Sequence, residues 1–259
     1  MKKYIENFNK YNYLLGELVK KDIKLKYRRS KLGILWTLIE PILTTIVLTI
    51  VFTKLKGKTG KDYPFSVYIL TGRLLYSFFS GSTKAAAKSI RANSGMIKKV
   101  YVPKYIYPLS SILSNYVIFM ISMVVLVGAM IVFRVKLTMY IFGAIIPLIT
   151  LLIMALGVGM FLSTIAVFFR DVEYLWGVAL TLIMYMSAIF YEPSQVADVE
   201  WIFKWNPLYC IIVNFRQAVL FGEPMDMFAM IYSAVFAVAF LFIGVFTFYK
   251  KQDEFILNI

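Results

Sequence analysis

The sequence predicts an all-α protein that crosses a membrane several times, and three observations support this fold class. Hydrophobic residues make up 60% of the 259 positions and charged residues only 16%, which is too little polar surface for a soluble domain of this length. The mean hydropathy is +0.74. The apolar residues fall into about six runs, each long enough to cross a bilayer. This pattern is typical of a polytopic membrane protein.

Six transmembrane helices are expected, and an even number places both termini on one side of the membrane. They are expected near 34–53, 63–83, 107–133, 140–168, 172–190 and 227–249. The segment before them carries ten Lys and Arg residues and no apolar stretch typical of a cleavable signal, so we expect the first span to be retained. We therefore divide the chain into a cytoplasmic interface segment, 1–33, and a six-helix transmembrane domain, 34–259.

The distribution of positive charge predicts the orientation. The N-terminal segment, the 84–106 connection, the 169–171 turn and the residues after Tyr249 hold nineteen Lys and Arg, against eight in the alternate connections. Positively charged connections stay on the cytoplasmic side, so both termini are expected to be cytoplasmic. The loop at 54–62 carries four lysines on the other side and runs against this rule.

Composition and motifs exclude several kinds of chemistry. The chain has no His and one Cys, so His-based acid–base catalysis, zinc sites and intrachain disulfides are not expected, and Cys210 is interpreted as a small apolar residue. Gly57-Lys58-Thr59 resembles the end of a phosphate-binding loop, but Phe52 stands where that motif needs glycine and no strand precedes it. Any ATP-driven function therefore needs a partner subunit. The net charge of +14 lies in short loops beside apolar spans, where it orients the chain and attracts anionic lipid.

The N-terminal segment has the pattern of an amphipathic helix. Its apolar positions at helical spacing are Phe8, Tyr11, Leu15 and Leu18. Such a helix is expected to lie on the cytoplasmic membrane surface. A dense basic cluster at 24–31 follows it, and this cluster is either a topological anchor or a contact surface for a cytoplasmic partner.

The first span carries a polar stripe. Thr37, Glu40 and Thr44 recur at i, i+3 and i+7, a pattern that does not suit a lipid-facing surface. Pro41 lacks an N–H and so frees a backbone carbonyl one turn earlier, which permits a kink. Two interpretations remain open: either Glu40 is bonded within the bundle, for instance to Arg73 of the second span, or the stripe lines a polar, water-accessible path.

Two later spans have recognisable faces. In the fourth, Ala155, Gly159 and Ser163 form a small-residue stripe that predicts close helix packing. The polar residues that share one face of the fifth span are Tyr174, Thr181 and Tyr185. The alternative for Tyr174 is an interfacial aromatic belt.

Short re-entrant helices are expected between the fifth and sixth spans, in the outer segment at about 191–226. Pro207 suits a helix start and Gly222 a helix end. The residues that fit one helical face between them are Leu208, Ile211, Ile212, Phe215 and Val219. This structure is either a lid on an exit path or a cap on the bundle.

Four ordered groups of residues resemble the ABC-2-type permeases that export cell-surface polysaccharides. They are Tyr27–Trp36 with Glu40-Pro41, Met96–Lys104 with Tyr107–Ser110, Phe169–Val172, and Trp205–Leu208 with Phe215-Arg216. Together they cover almost the whole chain in the family's order. Arg73 departs from the family pattern, because an apolar residue is expected at its position.

The resemblance implies the transmembrane subunit of an O-antigen, capsule or teichoic acid exporter in the bacterial inner membrane. It implies a homodimer that works with two copies of a separate ABC ATPase, which uses ATP and Mg. This chain would bind no cofactor and would not be an enzyme. Its partners would be that ATPase, membrane lipid and a lipid-linked polysaccharide, with no nucleic acid. ATP hydrolysis would act on a coupling segment at about 84–105 and open a channel.

Two sets of site residues follow. The proposed ATPase-coupling interface comprises Arg28, Arg29, Lys88, Arg91, Met96, Lys98 and Lys99. The proposed substrate channel, taken from helical faces and not from a family motif, comprises Trp36, Thr37, Glu40, Thr44, Tyr174, Thr181 and Tyr185. Aromatic rings and hydroxyl groups would bind each sugar weakly and let the polymer slide.

Two other function classes remain open. A small-molecule or drug efflux permease of the same superfamily would share the topology and the ATPase, but it would need a pocket closed at both ends. A passive channel or structural membrane protein would need no ATPase. The long basic connection at 84–106 disfavours the second class, because a bare turn needs far fewer residues.

Overall fold

The architecture was obtained from a computed structural model that describes residues 2–53, 63–100, 102–193 and 200–259. The loop that contains Gly57-Lys58-Thr59 lies outside these residues. Within them every regular element is helical and no strand is present. The all-α prediction is confirmed.

The described residues form eleven α-helices. They are α1 (Lys2–Tyr27), α2 (Trp36–Thr53), α3 (Phe65–Ala92), α4 (Ser94–Ile97), α5 (Ile106–Val132), α6 (Ile145–Phe168), α7 (Val172–Tyr185), α8 (Glu200–Lys204), α9 (Pro207–Arg216), α10 (Met227–Lys251) and α11 (Phe255–Asn258). A 3-10 helix at Met139–Ala144 leads into α6, and one π-helical turn at Gln217–Phe221 follows α9.

Four helical segments are long and apolar enough to cross a membrane. They are Gly33–Thr53, Ile106–Val132, Met139–Phe168 and Met227–Asn258. These coincide with the first, third, fourth and sixth expected spans. Helices α3 and α7 occupy the positions of the other two. However, α3 is more polar than a typical span, and α7 has only 14 residues and stops short of the expected end at 190.

Helix α3 is longer than the sequence predicted. It was expected to end near residue 83, but it continues to Ala92, which gives a length of about 42 Å. The extra turns combine buried Ala86 and Ala87 with exposed Lys84 and Lys88, so this part is an ordinary amphipathic helix. The expected coupling segment therefore begins as an extension of α3, and its separate helix is the single turn α4.

The bundle is centred on α6, which packs most extensively against α10. A Cβ atom at Gly157 of α6 would run into the backbone of Phe240 and Leu241, and one at Gly244 of α10 would run into the carbonyl of Gly157. Two helix backbones can approach this closely only where neither has a side chain. Glycine is therefore required at both positions.

The small-residue stripe predicted on α6 is buried, as expected. A Cβ atom at Gly159 would lie 2.7 Å from Cδ1 of Ile112 and 3.0 Å from Cβ of Ala86, so this stripe faces α5 and α3. Ala155 and Ser163 are fully buried in the same interface. Two faces of α6, and not one, thus rely on small residues.

A second apolar cluster joins both terminal regions at one end of the bundle, which we call the α1 end. Leu15 and Leu18 of α1 pack there with Ile97 of α4, Phe248 of α10 and Phe255 of α11. Helix α1 is amphipathic, as predicted, and its apolar residues Leu15 and Leu18 pack against the protein. The side chain of Phe8 lies outside the described residues.

The helical face predicted between Pro207 and Gly222 is confirmed. Asn206 caps α9 by accepting a hydrogen bond from the Leu208 amide at 3.0 Å, and Pro207 takes the first helical position. Gly222 ends the π-helical turn with φ +63°, a left-handed conformation that favours glycine. The buried residues of this face are Leu208, Ile211, Ile212, Phe215 and Val219.

Candidate functional site

The polar stripe of α2 faces an open-sided cavity of about 300 Å³ between α1, α2, α3 and α5. Thr37, Glu40 and Thr44 all line it, together with residues of α3 and α5. Pro41 cannot donate to the carbonyl of Thr37, and the hydroxyl of Ser122 on α5 donates to that carbonyl instead, at 3.0 Å. The freed carbonyl thus binds α2 to its neighbour.

The walls of this cavity come from four helices. Helix α1 contributes Lys26 and Tyr27 at one mouth, and α5 contributes Asn115. The polar residues that α3 contributes are Arg73, Tyr76, Ser77 and Ser80. A second cavity of about 370 Å³ adjoins the first, because both include Lys26 and Asn115 in their walls. The two cavities form a polar region between the surface helix and the spans α2, α3 and α5.

The charges in this region interact at a distance. The ammonium group of Lys26 donates to Oδ1 of Asn115 at 3.5 Å. Burial lowers the pKa of Lys26, and the carboxylate of Glu40 opposes that shift. In the adjoining cavity, burial raises the pKa of Asp22, and the hydroxyl of Ser110 donates to its carboxylate at 3.4 Å.

The expected ion pair between Glu40 and Arg73 is not formed. Both residues line the same cavity, but the ion pairs among the described residues do not include this one. Arg73 lies in the first third of α3, whereas Glu40 lies one turn into α2, and both side chains line the cavity. The polar, water-accessible path stays a prediction.

The remaining channel candidates do not line this cavity. Trp36 is partly exposed, and its indole nitrogen donates to the hydroxyl of Ser30 at 3.0 Å. Tyr174 and Tyr185 are 81% and 55% exposed on the outer face of α7, and Thr181 is exposed beside them. The structure therefore brings together three of the seven candidates and places the α7 residues on a separate surface.

A polar face on α3 was missed when the sequence was considered span by span. Four partly or fully exposed residues follow Arg73 on the same face of α3, at four, seven, eleven and fifteen positions after it. They are Ser77, Ser80, Lys84 and Lys88. The sequence predicted separate roles for Arg73 and Lys88, but not that the two share one face with Ser77, Ser80 and Lys84. This face runs from the cavity to the α1 end.

Arg216 is the second residue that sequence reasoning missed. It is only 2% exposed, and no acidic residue pairs with it among the described residues. Its guanidinium donates to the carbonyls of Ala188, Ile189 and Tyr68 at 3.0, 3.3 and 3.0 Å, and to the hydroxyl of Thr71 at 3.3 Å.

This guanidinium also lies 3.4 Å above the ring of Tyr68, so a cation–π contact adds to the hydrogen bonds. The carbonyls of Ala188 and Ile189 belong to the turn beyond α7, where the helix no longer supplies donors. Asn206 donates to the carbonyl of Met186 at 3.0 Å in the same turn. Arg216 and Asn206 therefore join α9 and the cap before it to the end of α7.

The predicted coupling residues lie in two settings. Lys88 and Arg91 form ion pairs with Glu173, which fasten the end of α3 to the start of α7. Met96, Lys98 and Lys99 are exposed on and after α4, and Lys98 donates to the carbonyl of Ile259 at 2.5 Å. The two arginines at the end of α1, Arg28 and Arg29, are exposed.

The chain is similar to known proteins over most of its length. The family model for ABC-2 type transporters matches residues 13–220 of this chain. The O-antigen export system permease protein RfbA of Klebsiella pneumoniae is 30% identical, covering 82% of this chain and 84% of that protein.

A protein of the same name from Myxococcus xanthus is 25% identical over 98% of both chains. The polysialic acid transport protein KpsM of Escherichia coli is 23% identical, over 92% of this chain and 93% of its own length. Because the family description covers well over half of the chain and a relative at 30% identity covers more than two thirds of it, the chain belongs to the ABC-2 type transporter family of membrane proteins.

Proposed function

We propose that this chain is the transmembrane subunit of an ATP-driven exporter that moves a lipid-linked cell-surface polysaccharide across the bacterial inner membrane. The observation that carries the proposal is the polar region between α1, α2, α3 and α5, which gives hydroxyl, amide and charged groups a place inside an apolar bundle. The names of the relatives supply the substrate class, because they export O-antigen or polysialic acid.

The polar face of α3 and the exposed face of α7 support a homodimer. Arg73 and Ser77 lie at membrane depth, where contact with lipid is costly. A second copy across a two-fold axis would cover these residues and make a closed, wet path between the two chains. In that assembly, α3 and α7 serve as the second and fifth of six spans, and both termini are cytoplasmic, in agreement with the charge count.

A separate ATPase would bind at the α1 end and supply the site for ATP and Mg, and this chain would bind neither. The surface offered to it comprises the exposed turn around Met96, Lys98 and Lys99, and the exposed Arg28 and Arg29 at the end of α1 form a second candidate contact. Lys88 and Arg91 lie behind that surface, where their ion pairs with Glu173 would transmit a displacement from α3 to α7.

Charge reversal at the exposed turn tests this contact. The double change Lys98→Glu with Lys99→Glu is expected to lower co-purification of the ATPase by about tenfold or more, because complementary charges at an interface become repulsive. The matched control is Arg134→Glu with Lys136→Glu, which changes the same charge at the opposite end. Undiminished co-purification with the first pair, in protein that inserts normally, contradicts the proposed contact.

Depletion of the chain in its native bacterium tests the function itself. The expected result is loss of surface polysaccharide with accumulation of lipid-linked glycan inside the cell. If glycan is unchanged on both sides and drug resistance falls, the chain is an efflux permease. The chemistry of the trapped glycan distinguishes an O-antigen or capsule exporter from a teichoic acid exporter.

A further inference from the structure

The cavity beneath α2 has an unbalanced charge. Lys26 and Arg73 supply two positive charges to its wall, and Glu40 supplies one negative charge. The other acidic group in the polar region, Asp22, lines only the adjoining cavity. Lys26 and Glu40 are exposed at this cavity and Arg73 is partly buried, so the excess positive charge is accessible to an anion that enters the cavity.

Within a single chain, Arg73 is the cavity cation that the described residues leave without a partner. Its guanidinium makes no hydrogen bond and no ion pair with the residues that the structure describes, although it has five donors. By contrast, Lys26 is bonded to Asn115, and the fully buried Arg216 has four hydrogen bonds. Arg73 therefore presents a free, planar set of donors to the cavity.

The position of Arg73 fits an anion that is attached to a lipid tail. Arg73 lies eleven positions before Lys84 on α3, so it is about 16 Å further from the α1 end. Lys26 marks the mouth at the surface helix, and Ser77 and Ser80 lie between the two on α3. A headgroup that moves inward from the surface thus meets a cation first at the mouth and then at depth.

We propose that this cavity binds the phosphate group of a lipid headgroup, with Arg73 and Lys26 as its two cationic ligands and Glu40 as the counter-charge that it displaces. The identification of the lipid as the exported substrate rests on the proposed function. The planar guanidinium suits a phosphate because it forms paired, charge-assisted hydrogen bonds. A volume of about 300 Å³ is enough for a phosphate or diphosphate group.

Binding of farnesyl diphosphate to the purified full-length chain, measured by calorimetry in a neutral detergent, tests the site. Arg73→Gln and Lys26→Gln are each expected to weaken binding by about tenfold, the loss of one charge-assisted hydrogen bond. Glu40→Gln is expected to tighten binding, because the phosphate no longer competes with a carboxylate. Arg134→Gln, at the opposite end of the bundle, is the matched control and is expected to bind normally.

Arg73→Lys distinguishes the loss of the positive charge from damage to the fold. It keeps the cation and is expected to recover most of the affinity that Arg73→Gln loses. If Arg73→Gln does not fold, Lys26→Gln and Glu40→Gln carry the test, since their opposite shifts cannot both arise from damage to the structure. Equal affinity of the Arg73→Gln and Arg134→Gln proteins, or no tightening in Glu40→Gln, overturns the proposal.

Competition by phosphatidylglycerol identifies the source of the phosphate. If it competes as well as farnesyl diphosphate and depends on Arg73 in the same way, the site holds an ordinary membrane lipid. If the diphosphate binds at least tenfold more tightly, the site prefers a prenyl diphosphate to an ordinary membrane phospholipid, which supports a lipid-linked substrate. The assay measures binding alone, so its failure leaves the depletion experiment unaffected, and a depletion result without glycan effects leaves the binding result standing.

Discussion

Arg216→Leu is expected to reduce the stability of the folded protein by roughly 3 kcal/mol or more. The change leaves the carbonyls of Ala188, Ile189 and Tyr68 without the donors that Arg216 supplies. The Ala188 carbonyl still accepts from the Tyr68 hydroxyl and the Tyr68 carbonyl from the Thr71 hydroxyl, so only the Ile189 carbonyl loses its partner, at about 1–3 kcal/mol. Loss of the buried cation–π contact with Tyr68 adds about 2 kcal/mol. Thermal unfolding followed by tryptophan fluorescence in detergent, together with the amount of protein in the membrane, measures the effect.

Arg216→Lys is expected to rescue little of this loss. A single ammonium group cannot reach carbonyls on α3 and beyond α7 at once, whereas the planar guanidinium donates in several directions. Arg134→Leu, which removes an exposed arginine, provides the matched control and should unfold like the wild type. A melting temperature for Arg216→Leu close to that of the control would show that the buried bonds are not what holds α9 to α7.

Gly157→Ala is the second change with a large expected effect, and Gly244→Ala should behave in the same way. Each adds one methyl group where the backbones of α6 and α10 touch, so the helices must separate along their most extensive interface. Overpacking of this kind costs about 1–3 kcal/mol, and backbone atoms cannot move aside as a flexible side chain can. The measurement is again the melting temperature.

Gly128→Ala and Gly177→Ala are the matched controls. Both glycines lie within helices, and a Cβ atom at either one meets nothing within 4 Å. These changes are expected to be neutral or slightly stabilising, because alanine favours the helix by roughly 0.5–1 kcal/mol. If all four alanine variants melt alike, the close crossing of α6 and α10 does not limit stability.

The α2 stripe was predictable because Thr37, Glu40 and Thr44 share one face. The 3.6-residue period of the helix is enough to identify a polar face in an otherwise apolar sequence. Pro41 likewise predicted an unbonded carbonyl. The donor that satisfies this carbonyl, Ser122, lies 85 positions away from Thr37 in sequence, so no local pattern could identify it. Local rules predict the need for a partner, and only the fold supplies the partner.

The misses have the same physical origin. Arg216 follows an apolar helical face and has no acidic neighbour in sequence, so nothing local indicated that backbone carbonyls of α3 and of the turn beyond α7 surround it. Gly157 and Gly159 lie on nearly opposite faces of α6, since two residues span about 200° of helix. The sequence showed that small residues line α6, but not which face would meet another backbone.

The unequal anchoring of the helices has a mechanical consequence. The buried residues of α2 are two threonines, Thr37 and Thr45, and the hydroxyl of Thr45 has no hydrogen-bond partner among the described residues, so few large side chains interlock this helix with the bundle. The α1 end, by contrast, is a single apolar block that includes α1, α4 and α11. A force applied to that block would shift it as one body. Of the helices that line the cavity, α2 would then move most easily relative to the others.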